Sequence, residues 1–334
     1  MKHGNIAFFI PHLGCPHNCT FCNQNSISAA ESLPTAETVL DVCRQAWSRL
    51  GQRVSATEIA FFGGSFTAIE RTYMLELLEA AQRSVEQYGF SGIRCSTRPD
   101  AVDEEIVALL KEYGVTSIEL GCQSMNNRVL SLNQRGHTAE DTVTASKIIK
   151  KNGILLGHQM MVGMYGDTAE GIFETARCLK ELEPDTMRIY PTVVIKGTEL
   201  ESLWSSGEYV PMSLDDAVDV CSRLLLFFEH DETSPVRVIR VGLHASRTLE
   251  DDMLAGTYHP AFRELCESKI MLDRAMKKLK KCSKETTVNI FVNPRDVSRM
   301  IGQKHQNVAM LKKMGYTVEI ISDKNITYMN PTTK

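Results

Sequence analysis

The chain has no run of about 18 consecutive apolar residues, which argues against a membrane-spanning helix. It shows no secretory leader pattern either. Met1-Lys2-His3-Gly4 passes within five residues into the short apolar stretch 6–10, which ends at Pro11 with no small-residue cleavage pattern after it. Internal repeats and low-complexity stretches are missing as well. Ten cysteines in 334 residues are too few for a disulfide scaffold. Without a leader, reduced thiols in a cytoplasmic setting are expected, and clustered cysteines there favour a metal over disulfides. Large net charge is absent too. The formal balance is −4, with 43% hydrophobic and 23% charged residues, an ordinary globular composition for one large domain or a large one with a small one.

The charge is unevenly placed. Residues 274–334 hold 13 Lys and Arg against 4 Asp and Glu, a balance of +9, leaving 24 against 37, or −13, in the preceding 273. A basic C-terminal module and a solvated helix surface around Lys277, Lys278, Lys280 and Lys281 both account for this.

Short β-branched runs alternate with stretches of helical period. Strands are expected at 6–10, 58–62, 92–96, 117–121, 155–161 and 187–194, with Pro191 interrupting the last. Helices are expected at 38–50, 73–88, 104–113, 139–151 and 169–182; in the second, Leu75, Leu78, Ala81 and Val85 share a face. This alternation argues for parallel α/β architecture, with chemistry at the strand C-termini. The unusual residues fall there: Cys15 to Cys22 after the first strand, Gly63-Gly64-Ser65 after the second, Arg98-Pro-Asp100 after the third and Gln123 after the fourth. Beyond residue 207 the pattern changes to a helix at 214–228, a strand at 236–243 and a long helix at 260–281. A strand, helix, turn, helix, strand series then spans 287–321. The division expected is a core at 1–245, a helical connector at 246–283 and a small α/β module at 284–334.

The segment Cys15-Pro-His-Asn-Cys19-Thr-Phe-Cys22 has the spacing C-x3-C-x2-C. Three thiolates on one tight loop suit three irons of a cubane and leave the fourth iron open to a ligand. A structural zinc site wants a fourth ligand, which His17 or a distant cysteine would have to supply. Spacing alone leaves both open. Cys43, Cys95, Cys122, Cys178, Cys221, Cys266 and Cys282 lack paired spacing and read mostly as small hydrophobes.

This cysteine spacing, with Phe21 before the last cysteine, resembles the signature of the radical S-adenosylmethionine (SAM) superfamily. The resemblance implies a partial TIM-type (β/α)6 barrel. It also implies a [4Fe–4S] cluster on Cys15, Cys19 and Cys22, and SAM chelated to the open iron and cleaved to a 5′-deoxyadenosyl radical. Phe61-Phe-Gly63-Gly64-Ser65 resembles the superfamily's glycine motif for the methionine amino group, with Ser65 where an acid often stands. By similarity to the coproporphyrinogen-oxidase-like type, Gln123 and Arg135 are expected to contact SAM ribose and carboxylate. Gln159 stands where that type often has a ribose-binding aspartate, and Arg98 is a cation able to pair with a carboxylate.

Four segments narrow the resemblance: 96–100, 118–124, 133–137 and Arg188-Ile-Tyr-Pro-Thr-Val-Val-Ile-Lys-Gly-Thr-Glu-Leu200. Together they look like the radical SAM core of the catalytic subunit of Elongator, over roughly residues 5–245. No stretch is long enough for that subunit's acetyltransferase domain, and its N-terminal tRNA-binding segment has no counterpart, so only the core chemistry is carried over. The C-terminal module resembles a minimal KH-type RNA-binding unit, with Gly302-Gln-Lys304-His305 in place of its G-x-x-G loop. Arg295, Arg299, Lys304, Lys312 and Lys313 are candidate phosphate contacts. A plain α/β cap is the alternative. Three functions are therefore carried forward: a radical SAM enzyme on RNA, a tRNA-like substrate in particular; one on a small molecule such as a tetrapyrrole; and a non-catalytic RNA-binding protein with a structural metal. The first two imply an external electron donor such as flavodoxin or ferredoxin.

Overall fold

Period-two burial and β-branched residues set the strands, and helical crossovers bring them parallel. The computed structural model describes residues 3–10, 13–23, 32–229, 234–244, 247–282 and 287–333. The core strands are β1 (Gly4–Ile10), β2 (Thr57–Gly63), β3 (Ile93–Thr97), β4 (Val115–Gln123), β5 (Leu155–Val162), β6 (Thr186–Pro191), β7 (Val193–Ile195), β8 (Arg237–Val241) and β9 (Met253–Gly256). The last three are β10 (Val288–Val292), β11 (Val318–Ser322) and β12 (Thr332–Thr333). Between and around them run α1 (Ala36–Leu50), α2 (Arg71–Tyr88), α3 (Glu104–Glu112), α4 (Asn127–Leu132), α5 (Ala139–Lys151), α6 (Ala169–Glu181), α7 (Glu199–Ser205), α8 (Leu214–Glu229), α9 (Arg247–Asp252), α10 (Phe262–Leu279), α11 (Val297–Ile301) and α12 (Gln306–Lys313).

Seven strands form one curled half-barrel sheet in the order β1-β2-β3-β4-β5-β6-β8, with every neighbouring pair parallel. The six expected strands of the repeat are there, and the strand expected at 236–243 joins the same sheet as β8, a seventh beside β6. The sixth expected strand is broken where Pro191 ends β6. The chain turns at Thr192, and β7 leaves the sheet to pair antiparallel with β9. The connector at 246–283, expected to be helical, therefore contains a strand. Both expected boundaries, 245/246 and 283/284, fall outside the described residues.

Helices cover the outer face. In α2 the Glu70 carboxylate caps the Thr72 and Tyr73 amides, and Gly89 ends the helix at φ 77°. Its buried stripe is Met74, Leu77, Leu78 and Ala81, so the face read from Leu75 and Val85 is rotated by about one residue. In α5 Thr138 and Asp141 form a capping box. The three-stranded sheet β11-β10-β12 lies beyond α10. Its Val288, Ile290 and Val292 share one continuous apolar core with Ile270, Met271 and Ala275 of α10.

Candidate active site

The cysteine loop sits directly on the C-terminal end of β2. The Gly64 amide donates to the Ile10 carbonyl at 2.8 Å, and that of Ser65 to Leu13 at 3.0 Å. A Cβ on Gly64 would lie 2.1 Å from the Leu13 oxygen, and one on Gly14 would lie 2.2 Å from the Ser65 oxygen. The glycines are thus required by two backbones in contact. On its other side the loop is tied at Thr20. The Thr20 hydroxyl donates to Asn133 Oδ1 at 3.0 Å, and its carbonyl accepts from the Leu200 amide at 2.8 Å.

Cys15, Cys19 and Cys22, none of them in a disulfide, line one cavity of about 120 Å³, with Gly63, Gly64, Arg98, Gln123, Arg135 and Gln159 around them. Among the described residues no three His, Cys, Asp or Glu side chains already close on a metal ion. Burial pushes the Cys15 thiol up, as does neighbouring Cys19, while the Arg98 and Arg135 guanidinium groups act against both.

Of the site residues read from sequence, only Ser65 is missing from the lining. It is fully buried, and its Oγ contacts Thr97 Oγ1 at 2.8 Å and accepts from the Arg98 amide at 3.1 Å, so it braces β3 from below. Arg98 already has a carboxylate: Asp100 binds its Nε and Nη2, each at 2.9 Å, leaving Nη1 buried without a partner. Arg135 donates from Nη1 to Cys19 Sγ at 3.1 Å and from Nη2 to the Gly121 carbonyl at 2.7 Å, leaving Nε without one. Gln123 ends β4 in the left-handed region at φ 64°, and its buried Oε1 has no partner. The Gln159 amide donates to Glu119 at 2.9 Å.

A family model described as the radical SAM superfamily matches residues 9–179, and one described as its C-terminal domain matches 184–271. The chain belongs to the radical SAM superfamily. Among similar proteins, the tRNA uridine(34) acetyltransferase of Methanocaldococcus infernus is 30% identical over 65% of this chain and 48% of its own length. Human Elongator complex protein 3 is 29% identical over 53% of this chain and 36% of itself. This chain therefore spans about half or less of these curated relatives. The solved structure of Methanocaldococcus infernus Elp3, lacking its residues 1–46, shares the fold at TM-score 0.65 and 24% identity, covering 81% of this chain and 63% of that one.

Superfamily members use a [4Fe–4S] cluster and SAM. The donor set here suits that pair. Three thiols face the cavity beside two unpartnered buried donors, Arg98 Nη1 and Arg135 Nε, and one unpartnered acceptor, Gln123 Oε1. Such a set fits a ligand carrying both a carboxylate and hydroxyls.

A second cavity of about 370 Å³ opens from the first and shares Phe21, Cys22, Gly63, Ser96, Gln123 and Gln159 with it. It is lined inside the half-barrel by Asn5, Ala7 and Phe9 of β1, Arg188 and Tyr190 of β6, and His244. Sequence reading missed these residues, although alternation along β1 (5, 7, 9) and β6 (188, 190) is the signal that marks them. An ionic ladder crosses the sheet to Arg188, buried except at His3. His3 meets Glu58 at 2.7 Å, and Glu58 holds Arg94 Nε at 2.7 Å. Arg94 Nη1 reaches Glu119 at 2.9 Å, which also takes Arg188 Nη2 at 2.9 Å. Burial pushes the Glu119 carboxyl up, but Arg188, Arg94 and the Gln159 amide together hold it below the usual carboxylate range. Burial, then the Arg240 and Arg188 cations, push His244 down to about 4, so it is neutral in the cavity.

Proposed function

We propose that this chain is a radical SAM enzyme that modifies RNA, with tRNA as the substrate type. The observation that carries the cofactor part is the convergence of three thiols with Arg98 Nη1, Arg135 Nε and Gln123 Oε1 on one cavity. In this reading Cys15, Cys19 and Cys22 hold the cluster through three irons, and Arg98, Gln123 and Arg135 meet the carboxylate and ribose of SAM. Gln159 is oriented by Glu119, and the backbone at Gly63 and Gly64 gives close access. When bound, the pair supplies reductive cleavage of SAM and hydrogen abstraction from substrate, fed by an external donor such as flavodoxin or ferredoxin in a cytoplasmic setting. Phe21 and the apolar lining of the second cavity exclude water from the reacting centre. That cavity takes the substrate group, and an unstacked nucleotide is the form in which RNA can enter it.

RNA is supported by the likeness to a tRNA uridine(34) acetyltransferase and by the +9 balance of residues 274–334. The loop Gly302–His305 adds to this, since Lys304 and His305 hold glycine-like φ values of 50° and 61° and project with Arg295, Lys312 and Lys313 as exposed bases. Arg299 is not among them, because Glu267 pairs with its Nε at 2.5 Å. We treat residues 284–334 as the RNA-contacting module on the core at 1–245, joined through 246–283.

The test is anaerobic reconstitution with iron and sulfide, then reduction with SAM and a 5′-deoxyadenosine assay, with and without a tRNA pool. Product from the wild type, none from Cys15→Ala, Cys19→Ala or Cys22→Ala, and a tRNA-dependent rise support the reading. Cleavage indifferent to tRNA, with no RNA retained at moderate salt, removes the RNA part. Failure of the wild type to bind iron removes the cofactor part.

A further inference from the structure

A groove of about 860 Å³ lies away from both cavities, between the end of α10 and the C-terminal segment. One wall carries Arg274, Lys277, Lys278 and Lys281, which recur at helical spacing along one face over roughly 10 Å. The two inner cations build the groove. Arg274 donates to the Met329 carbonyl, and Lys278 donates to the Pro331 carbonyl and to Asn330 Oδ1. The two outer ones, Lys277 and Lys281, are exposed, and no carboxylate pairs with either among the described residues. The carboxylate in the lining, Glu229, is engaged by Arg263 at 2.8 Å. The lining also includes Tyr328, which is 45% exposed and whose ring has the Arg299 guanidinium 5.5 Å from its centroid.

Lysines at a helix C-terminus complement the helix dipole without any ligand. That role does not call for a groove, or for a half-exposed aromatic ring lining the same groove. Two lysines without a carboxylate partner and a half-exposed ring lining one groove are the combination that holds single-stranded nucleic acid, phosphates at the lysines and a base on the ring. We propose that this groove binds a single-stranded segment of the RNA substrate, independently of the Gly302–His305 loop. The proposal rests on the RNA reading above and adds a second contact to it.

The experiment measures binding of a labelled tRNA and a labelled single-stranded oligoribonucleotide to the full reconstituted chain by fluorescence anisotropy, between 50 and 250 mM salt. The variants are the double reversal Lys277→Glu/Lys281→Glu, Tyr328→Leu, and Lys304→Glu/Lys312→Glu as the loop comparison, each checked by thermal melting and cluster absorbance. The double reversal is expected to weaken oligoribonucleotide binding about tenfold or more and to flatten the log–log salt slope by about 1.4, since two single-strand phosphate contacts are lost. Tyr328→Leu is expected to weaken it about fivefold or more with the salt slope unchanged. Binding by both variants as tight as the wild type overturns the groove and leaves the RNA reading intact. Loss in the lysine variant alone overturns the single-strand assignment, because any polyanion would show it. A wild type that binds neither RNA overturns the groove and the RNA reading together.

Discussion

Replacing Gly64 with alanine places a methyl carbon 2.1 Å from the Leu13 carbonyl oxygen and 2.9 Å from that of Ile10. Non-bonded carbon contacts relax near 3.5 Å, so the cysteine loop or the strand end has to move by roughly 1 Å. Neither obstacle is a side chain that can swing away. The hydrogen bonds from Gly64 to Ile10 and from Ser65 to Leu13 occupy the same place and are broken or stretched by that movement. Overpacking strain of about 1–3 kcal/mol and two hydrogen bonds at about 0.5–1.5 kcal/mol each give a loss of about 2–6 kcal/mol, concentrated at the loop. Iron and sulfide per chain after anaerobic reconstitution is the assay, alongside the melting temperature of the metal-free protein. Gly89→Ala is the control. Gly89 has φ 77° and nothing within 4 Å of the point where an added methyl would stand, so alanine there costs about 1–2 kcal/mol of backbone strain far from the loop. Gly64→Ala is expected to lose most of its iron while Gly89→Ala loads fully. Full loading of Gly64→Ala, or equal loss in both, refutes the argument that these two backbones hold the cysteine loop in place.

Gln123→Gly removes the left-handed strain at φ 64° and is expected to stabilise the chain by about 1 kcal/mol in chemical denaturation, while weakening SAM binding in calorimetry on the loaded protein. Undiminished SAM affinity would remove Oε1 from the ligand set. Glu119→Gln leaves the buried Arg94 and Arg188 cations without their shared carboxylate and is expected to cost about 3–5 kcal/mol in urea unfolding. A loss under about 1 kcal/mol would show that the ladder is solvated in solution. Burial holds His158 down to about 3, against 6.5 in the unfolded chain. Its stabilising effect is therefore complete above pH 6.5 and declines as the pH falls toward the folded value, reaching a loss of about 2 kcal/mol at pH 5. Denaturation midpoints at pH 7.5 and 5.0 check this: His158→Gln should flatten the dependence by that amount, and an identical slope in the variant would contradict it.

The parts legible in the sequence are those set by local pattern. The cysteine loop follows the first strand, and Gly63, Gly64, Arg98, Gln123, Arg135 and Gln159 meet the cysteines at one cavity, because parallel crossover topology places every strand's C-terminal end on the same side. What escaped depends on partners that pattern does not reveal. Arg98 reads as a free cation until Asp100, two residues on, is seen to hold it from two nitrogens. The Ser65 hydroxyl reads as free until Thr97 and the Arg98 amide are seen to occupy it. Glu58, Arg94, Glu119 and Arg188 each look like an ordinary charged residue on an apolar strand. Their meaning appears only when the sheet register brings them into one buried ladder that orients Gln159 from below. The glycine pair shows the same limit in another form. Sequence says that a backbone comes close at Gly64, and the structure says that the first thing to come close is the Leu13 carbonyl, within the cysteine loop itself. A change at Gly64 should therefore act on iron loading before it acts on SAM, whereas a change at Gln123 should act on SAM with iron loading intact. Measuring both quantities on both variants separates the glycines as the seat of the loop from the glycines as a ligand contact.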